Sequence, residues 1–348
     1  MYKTFLFIFC LLLLATAPPT LAAPPAQTGN GEAYTVQADD WLSKLADKLY
    51  GDKLAYAVIV QGTNIHAAQD SSFNVITNPD AIQVGQKLWL PKSLPALTPE
   101  ILRNATYQGI YEQPVKLTNG YYEGEPFVPN SPIRPRLTFI AGYTAWGDLN
   151  GDGVEDAVTL LIENSGGSGV FYYMAAVINQ NGQPVNVSTT LLGDRVNVQP
   201  FSLQNGEVTV KLITQGPTEP MCCGTLPVTW HYRLQDNKLT QLTPFPGVYK
   251  TKLPAADTPG RDITLTLKDD RSVEMSTDYL NGKSPLVATG TWLDTGDGTA
   301  IVTLFLGPDN QPYNPPIAFT FKLEGNELVA VQYDVNLYGS AGLRFTKQ

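Results

Sequence analysis

The sequence predicts a multidomain protein: a small α+β unit of βααβ order, then two mainly antiparallel β domains, the second of them a small meander barrel. Length is the first observation, since 348 residues correspond to two or three domains at roughly 150 residues each. Composition is the second, because 43% hydrophobic and 16% charged residues are typical of a globular chain. The third is periodicity, which is helical near the amino terminus and later changes to short runs rich in Thr, Val, Gly and Tyr.

The first 22 residues, 1–22, predict a secretory signal peptide that is cleaved after Ala22. Lys3 precedes an apolar run, Phe5–Ala15, and small residues follow it. The run is too short to span a bilayer, which favours cleavage over anchoring. Cys10 lacks the small neighbours of a lipoprotein acylation site. We therefore expect a secreted, extracytoplasmic protein without a lipid or a transmembrane anchor.

Net charge excludes one class of partner. The formal net charge is −9 at pH 7, so the surface offers little to neutralise phosphates. Nucleic-acid binding is therefore not expected, and affinity for an anionic cell wall has to come from shape and stacking.

Residues 23–32, rich in Pro, Gly and Gln, predict a flexible leader, and residues 33–92 predict the βααβ unit. Within that unit Gly51 stands where a first helix would end. Apolar residues at helical spacing predict the two helices: Trp41, Leu42, Leu45, Ala46 and Leu49 for the first, and Leu54, Ala55, Val58 and Ile59 for the second.

The stretch from Tyr34 to Pro91 carries YTVQ, an acidic turn before LSKLA, then YGD and DAIQVGQKLWLP. This order resembles the LysM module, a βααβ domain that binds N-acetylglucosamine-containing glycans such as peptidoglycan. The resemblance implies a shallow glycan groove between the loop entering the first helix and the loop leading to the second strand. On this chain the groove residues would be Ala38, Asp39, Asp40, Trp41 and Leu42, with Thr77, Asn78, Pro79, Asp80, Ala81 and Ile82 opposite.

Two alternatives stay open for this unit. Trp41 could stack on a sugar ring or anchor the first helix to the core. The whole unit could also be a retained fold that serves only as a rigid tether.

A Pro-rich linker is predicted at residues 93–106, and a β domain at residues 107–243. Gly and Asn turn formers separate the predicted strands of that domain. These strands are LTFIAGYTAWG, DAVTLLIE, GVFYYMAAVINQ, EVTVKLITQ and VTWHYRLQ.

An acidic loop in this domain, residues 148–156, has the oxygen-ligand spacing of a calcium site. Asp148, Asn150, Asp152 and Asp156 would supply side chains and Val154 a carbonyl, with glycine at the sixth position. Its flanks predict strands, so it resembles the calcium loops of FG-GAP-type repeats rather than an EF-hand. The alternative is an Asx-rich turn without metal.

Residues 244–348 contain seven predicted strands joined by tight turns, the spacing of a small meander barrel. GVYKTKLPAADTPGRDITLTLKDDRSVEMSTDYL followed by ATGTW resembles the N-terminal domain of the copper-resistance lipoprotein NlpE. That family has a Cys-x-x-Cys where this chain has Ala255 and Thr258, so the resemblance implies the fold without the thiol chemistry.

Cys222 and Cys223 are the cysteines that remain after signal cleavage. Three interpretations are open: a vicinal disulfide, which we favour and which needs a distorted peptide, a thiol pair for a soft metal, or two buried thiols. No catalytic motif accompanies His66 or His231. We therefore predict a non-catalytic cell-envelope protein that binds peptidoglycan. The alternatives are a peptidoglycan hydrolase and an envelope sensor or small-ligand binder.

Overall fold

The computed structural model describes residues 30–216, 219–220 and 223–348. The predicted signal peptide and most of the predicted leader lie outside these residues. At the amino-terminal end stand four elements in the predicted βααβ order: β1 (Gly31–Thr35), α1 (Leu42–Tyr50), α2 (Tyr56–Ala67) and β2 (Lys87–Pro91). Strands β1 and β2 are antiparallel, with Gly31 opposite Pro91. Strand β1 thus begins inside the segment predicted as a leader, because the ladder with β2 continues to the end of that strand.

Helix α1 is amphipathic in the way the sequence predicts. Leu42, Leu45 and Ala46 are buried, and the lysines of the helix point to solvent. Gly51 ends the helix in the left-handed conformation at φ 70°, and its N–H donates to the Asp47 carbonyl.

Helix α2 is apolar on two sides rather than one. Ile59 and Val60 face the core of the N-terminal unit, residues 33–92. Ala57 and Val58 belong to a second cluster shared with the middle domain, residues 107–243. A helix that is hydrophobic on more than one side is buried, and α2 is buried between the N-terminal unit and the middle domain.

The segment predicted as a linker, 93–106, packs against this second cluster. It contains helix α3 (Pro99–Leu102), whose first residue is proline and whose start is capped by the Thr98 hydroxyl. Leu97, Leu102 and Ala105 are buried. Its prolines therefore shape a packed connection instead of an exposed one.

Within its described residues, the middle domain contains twelve strands in three sheets. Five consecutive strands form the first sheet in sequence order, five form the second, and β3 and β4 pair separately. The strands are β3 (Thr106–Tyr107), β4 (Val115–Lys116), β5 (Tyr121–Glu123), β6 (Arg136–Gly147), β7 (Asp156–Glu163), β8 (Phe171–Gln180), β9 (Gln183–Asp194), β10 (Asn197–Val198), β11 (Ser202–Gln204), β12 (Glu207–Thr214), β13 (Leu226–Gln235) and β14 (Lys238–Gln241).

Both faces of the first sheet, β5 to β9, are covered. One face packs on the second sheet, and a single buried cluster contains Val158 and Leu160 of the first sheet and Val208 and Val210 of the second. The other face packs on α2 and the 93–117 segment. Burial on two faces explains why β7 reads DAVTLLIE, a nearly continuous apolar run rather than an alternating one.

The carboxyl-terminal region is a closed barrel of eight strands in sequence order, with a helical turn, α4 (Val335–Tyr338), before the last strand. Aromatic side chains including Phe319, Phe321 and Phe345 fill it. The strands are β15 (Gly247–Leu253), β16 (Arg261–Leu267), β17 (Ser272–Asp278), β18 (Leu286–Asp294), β19 (Thr299–Leu306), β20 (Pro312–Glu324), β21 (Glu327–Gln332) and β22 (Arg344–Lys347). Strand β15 closes the barrel by pairing with β22, and completes the seven strands predicted from the sequence.

The barrel is joined to strand β13 by hydrogen bonds across the domain boundary. The Trp230 indole N–H donates to the Asp294 carbonyl at 2.7 Å, and the Thr229 N–H donates to the Thr295 carbonyl at 3.1 Å. Within the described residues, no helix is both long and apolar enough to cross a membrane.

Candidate functional site

The first half of the predicted groove, residues 38–42, is a tight turn leading into α1. Asp39 has φ 64°, and the Asp40 carboxylate accepts from the Tyr34 hydroxyl at 2.6 Å and from the Gln37 N–H at 2.9 Å. The Tyr34 hydroxyl is the main reason that the pKa of Asp40 lies below its usual value. Asp40 therefore fixes the turn, while Ala38 and Asp39 are exposed beside it.

Trp41 is the N-cap residue of α1, and its side chain is 55% exposed. The Lys44 ammonium lies 4.8 Å from the centroid of its ring. An exposure of this size does not match an anchor buried in the core, so the stacking alternative stays open. Leu42, the next residue, is the one that packs into the core of the N-terminal unit.

The second half, residues 77–82, is also a turn. The Asn78 side chain accepts from the Asp80 N–H at 3.0 Å, and the Asn78 carbonyl accepts from the Ala81 N–H at 3.1 Å. Thr77, like the other polar residues of this turn, is exposed, whereas Ile82 packs on the same core as Leu42. The two predicted segments thus border one core and leave exposed polar residues at its edge.

Pro79 is the buried member of this segment, and the middle domain covers it. A side-chain carbon placed on Gly142, in β6, would lie 3.1 Å from Pro79 Cγ and 2.8 Å from the Tyr56 hydroxyl. Glycine lets β6 approach the N-terminal unit at this point. One wall of the predicted groove therefore ends at the middle domain.

The acidic loop 148–156 is held by hydrogen bonds from its own backbone. Asp148 accepts from the Gly151 and Gly153 N–H groups at 2.7 and 2.9 Å, and Asp152 accepts from the Val154 N–H at 2.7 Å. The Asn150 side-chain oxygen accepts from the Asp152 N–H at 3.0 Å. These are the bonds of successive Asx turns.

Asp156 lies at the base of this loop and is fully buried. Its two carboxylate oxygens accept from the Leu149 and Asn179 N–H groups at 3.0 and 2.8 Å. Burial raises the pKa of Asp156, and it also raises the pKa of the neighbouring Glu155, where the charge of Asp156 adds to the effect.

The acidic loop carries the type of oxygen ligand that calcium prefers, but these oxygens are not arranged around one metal position. Carboxylate and carbonyl oxygens are the ligands that calcium prefers. Across residues 30–216, 219–220 and 223–348, however, no three acidic, histidine or cysteine side chains converge on a metal position. The backbone N–H bonds of Asp148 and Asp152 leave lone pairs on both carboxylates, since an ionised carboxylate has about four acceptor sites. Calcium binding by the loop stays a prediction.

Cys223 is disulfide-bonded, and its predicted partner Cys222 lies outside the described residues. The sequence contains only one further cysteine, Cys10, which also lies outside them. The vicinal pairing itself therefore stays a prediction.

His231 lies 2.9 Å from the Glu207 carboxylate on the neighbouring strand.

A cavity of about 460 Å³ at the junction of the N-terminal unit and the middle domain was not predicted. Its lining includes His66, which the sequence presents only as an isolated imidazole, and Trp89 of β2. No motif unites residues so far apart in the chain, so nothing in the sequence could have located this junction cavity.

Comparison with known families identifies two regions. Residues 34–91 match the LysM domain family, and residues 249–332 match the NlpE N-terminal domain family. Both predicted resemblances are confirmed, and LysM and NlpE-like domains are binding modules rather than catalytic ones. A LysM domain indicates glycan binding.

Relatives of this chain match only part of it. A protein of Deinococcus radiodurans without a characterised role is 36% identical over 80 residues, which is 23% of this chain and 27% of that protein. A 17 kDa lipoprotein of Treponema pallidum is 39% identical over 72 residues, which is 20% of this chain and 45% of that protein. The chain therefore spans less than half the length of these relatives.

A solved structure of a protein from Shewanella oneidensis is matched over 30% of this chain and 90% of that one, at 21% identity and a TM-score of 0.20. So low a score supports no conclusion about this chain.

Proposed function

We propose that this protein is a non-catalytic cell-envelope protein that binds N-acetylglucosamine-containing glycan, peptidoglycan in the first instance, through residues 34–91. The observation that carries the proposal is the LysM match together with a fold of the corresponding βααβ order. The predicted secretory signal and the lipoprotein named among the relatives support a location at the cell wall.

The groove would consist of the two exposed turns, 38–42 and 77–82. Backbone amides and carbonyls that are not already paired within these turns are the groups that can bond an N-acetyl group, and Trp41 is exposed beside them for a sugar face. The contact is small and polar, so we expect weak binding by one such unit, roughly micromolar to millimolar or about 4 to 8 kcal/mol.

The N-terminal unit would hold the rest of the chain in one orientation on the glycan. Helix α2 and the 93–106 segment pack into a cluster shared with the middle domain, and the barrel is hydrogen-bonded to β13. The proposed role is therefore rigid presentation of the two β domains rather than display on a flexible tether.

Sedimentation of the full chain with insoluble peptidoglycan tests the proposal. Ala81→Trp places a bulky ring on an exposed groove residue, and Ala33→Trp places the same ring on an exposed residue of β1 outside the groove. We expect the wild type and Ala33→Trp to sediment with the sacculi and Ala81→Trp to stay in the supernatant. Equal sedimentation of both variants, or none by the wild type, would contradict the proposed site.

Zymography on purified peptidoglycan tests the non-catalytic part of the proposal. We expect no clearing by the intact protein. A clearing zone would replace this proposal with the hydrolase alternative.

A further inference from the structure

The junction cavity lies between the N-terminal unit and the middle domain and is separate from the proposed groove. Helix α2 and strand β2 form one side of it, and the acidic loop 148–156 with the turn after β11 forms the other. None of residues 38–42 or 77–82 lines it. Neither half contains the cavity alone, so it exists only because the two halves are docked.

One wall of the cavity is aromatic and apolar. The rings of His66 and Trp89 stack with centroids 3.8 Å apart at an interplanar angle of 19°. Leu94 and Leu203 line the cavity as well. Walls of this kind suit the apolar C–H face of a ring-shaped ligand.

The ring of His66, one of the lining residues, also contains a hydrogen-bond acceptor. Its Nδ1 lies 2.9 Å from the Gly62 carbonyl oxygen, which can only accept, so Nδ1 carries the proton. Nε2 of the neutral ring is then an acceptor. Exposed polar residues at the mouth, Ser93, Gln204 and Asn205, add donors and further acceptors.

The charges around the cavity disfavour an anion. Asp148 and Glu155 both line it, and Arg233, its cationic residue, already lies 3.2 Å from the Glu207 carboxylate. An anionic ligand would therefore meet two carboxylates and a cation that is already paired. Hydroxyl groups, which donate hydrogen bonds to carboxylates, fit this surface better.

The cavity is preformed and large enough for a small ligand. The Gln61 side chain makes two hydrogen bonds to the backbone of Trp146, and the Trp146 indole donates to the Leu97 carbonyl at 2.7 Å. Because these hydrogen bonds already fix the walls of the cavity, binding a ligand costs less conformational entropy. A volume of about 460 Å³ falls within the range of small-molecule sites.

We propose that the junction cavity is a second binding site, for a neutral mono- or disaccharide. It rests on the proposed function only in the choice of ligand class, because its residues are different from those of the groove. A saccharide bound there would contact both halves of the junction and stabilise their docking.

Tryptophan indole N–H signals in NMR spectra report the two sites separately. Trp89 lines the cavity and Trp41 borders the groove, and Trp→Phe variants assign their signals. The buried Trp89 N–H has no acceptor within the part of the chain that is described. The probe is N,N′-diacetylchitobiose, added to the full mature chain, and free disaccharide is compared with solubilised longer glycan.

Three variants test the cavity. Ser93→Trp fills its mouth, whereas Lys92→Trp adds the same ring to an exposed neighbour that does not line it. We expect at least a tenfold loss of the Trp89 response in the first and none in the second. His66→Phe retains an aromatic ring and removes Nε2 together with the Nδ1 bond to Gly62, which should weaken binding about 3- to 10-fold.

The outcomes for the two sites are distinguishable. A Trp41 response with sedimentation on sacculi but without a Trp89 response would overturn the cavity site and leave the proposed function standing. A Trp89 response that Ser93→Trp abolishes, without a Trp41 response or sedimentation, would support the cavity site and overturn the proposed function. A Trp89 response that Ser93→Trp leaves unchanged would also overturn the cavity site. A Trp89 response to longer glycan alone would overturn the proposal of a mono- or disaccharide ligand and would identify a glycan polymer instead.

Discussion

The side chain of Gln61 is hydrogen-bonded to the backbone of Trp146 in the way that a neighbouring strand would be. Its amide N–H donates to the Trp146 carbonyl at 2.6 Å, and its carbonyl accepts from the Trp146 N–H at 3.1 Å. Strand β5 pairs with β6 only as far as Thr138, and among the described residues no other strand pairs with the rest of that edge of β6. Helix α2 covers this edge, and an edge that is covered is protected from pairing with another chain.

Replacing this amide should loosen the junction. Gln61→Ala leaves the Trp146 N–H and carbonyl without partners in a partly buried place, so we expect a loss of about 1 to 3 kcal/mol in the free energy of unfolding. Urea denaturation measures it. Gln69→Ala, on an exposed residue just beyond α2, is the matched control and should change little. Equal effects of the two variants would mean that the Gln61 bonds do not hold the junction.

A glycine sets the distance between the barrel and the middle domain. A side-chain carbon on Gly296 would lie 1.8 Å from the Thr229 carbonyl oxygen, and Gly296 has φ 85°. Gly298, in the same hairpin, has φ 82°, and no described atom lies within 4 Å of a side-chain carbon placed there. We expect Gly298→Ala to lose only the roughly 1 to 2 kcal/mol of the left-handed backbone, and Gly296→Ala to lose several kcal/mol more. Matching urea midpoints for the two variants would contradict close docking of the barrel.

Asp156 should matter for stability whether or not the acidic loop binds metal. Asp156→Ala leaves the Leu149 and Asn179 N–H groups without acceptors, which should lower the free energy of unfolding by about 3 kcal/mol. Asp152→Ala removes an exposed carboxylate and should lose less than about 1 kcal/mol in the absence of calcium. Thermal melting in chelator compares the two, and a smaller effect at Asp156 would contradict its role at the base of the loop.

Calcium addition tests the loop as a metal site. A site that binds calcium only in the folded state should stabilise the protein by about 2.7 kcal/mol when calcium is at a hundred times its dissociation constant. We expect a higher melting temperature for the wild type and no shift for Asp152→Ala. Titration calorimetry without heat, and melting that chelator leaves unchanged, would favour the Asx-turn alternative.

Tyr50 predicts a loss of stability in alkali. Its hydroxyl donates to the Pro91 carbonyl at 2.6 Å, and burial raises its pKa to about 12 from the usual value near 10. The unfolded chain therefore loses this proton first. The stabilisation is complete below about pH 10 and is lost as pH rises through about 12.

Tyr50→Phe should remove that pH dependence. Between about pH 10 and 12 we expect the stability of the variant to fall less steeply than that of the wild type, by a difference on the order of 1 kcal/mol. Urea denaturation across this range measures it. Parallel curves would mean that the Tyr50 proton is not linked to folding.

Most of the fold could be predicted because it depends on local patterns. Helical spacing in LSKLA, the stop at Gly51 and the alternating strands of the barrel are readable from neighbouring residues. The first strand of the barrel, β15, and the long strand β9 were not predicted as strands. Strand β9 has few apolar residues at regular alternation, and its pairing with β8 stabilises it instead.

The candidate site was predictable in sequence position but not in surroundings. The family pattern places the two groove turns, yet it does not show that β6 covers Pro79 or that Trp41 is exposed. Such contacts depend on which residues are neighbours in space, and the sequence pattern does not identify those neighbours.

The sequence by itself determined the βααβ unit, the β-rich regions after it and the ligand class that the LysM pattern indicates. Only the tertiary structure decided that α2 covers the edge of β6, that the segment 93–106 is packed, and that a cavity lies between the two halves. The physical reason is that these contacts join residues that lie far apart in the sequence. Gln61 and Trp146 are 85 residues apart, and an amide side chain has the same local pattern whether it faces water or the edge of a distant strand.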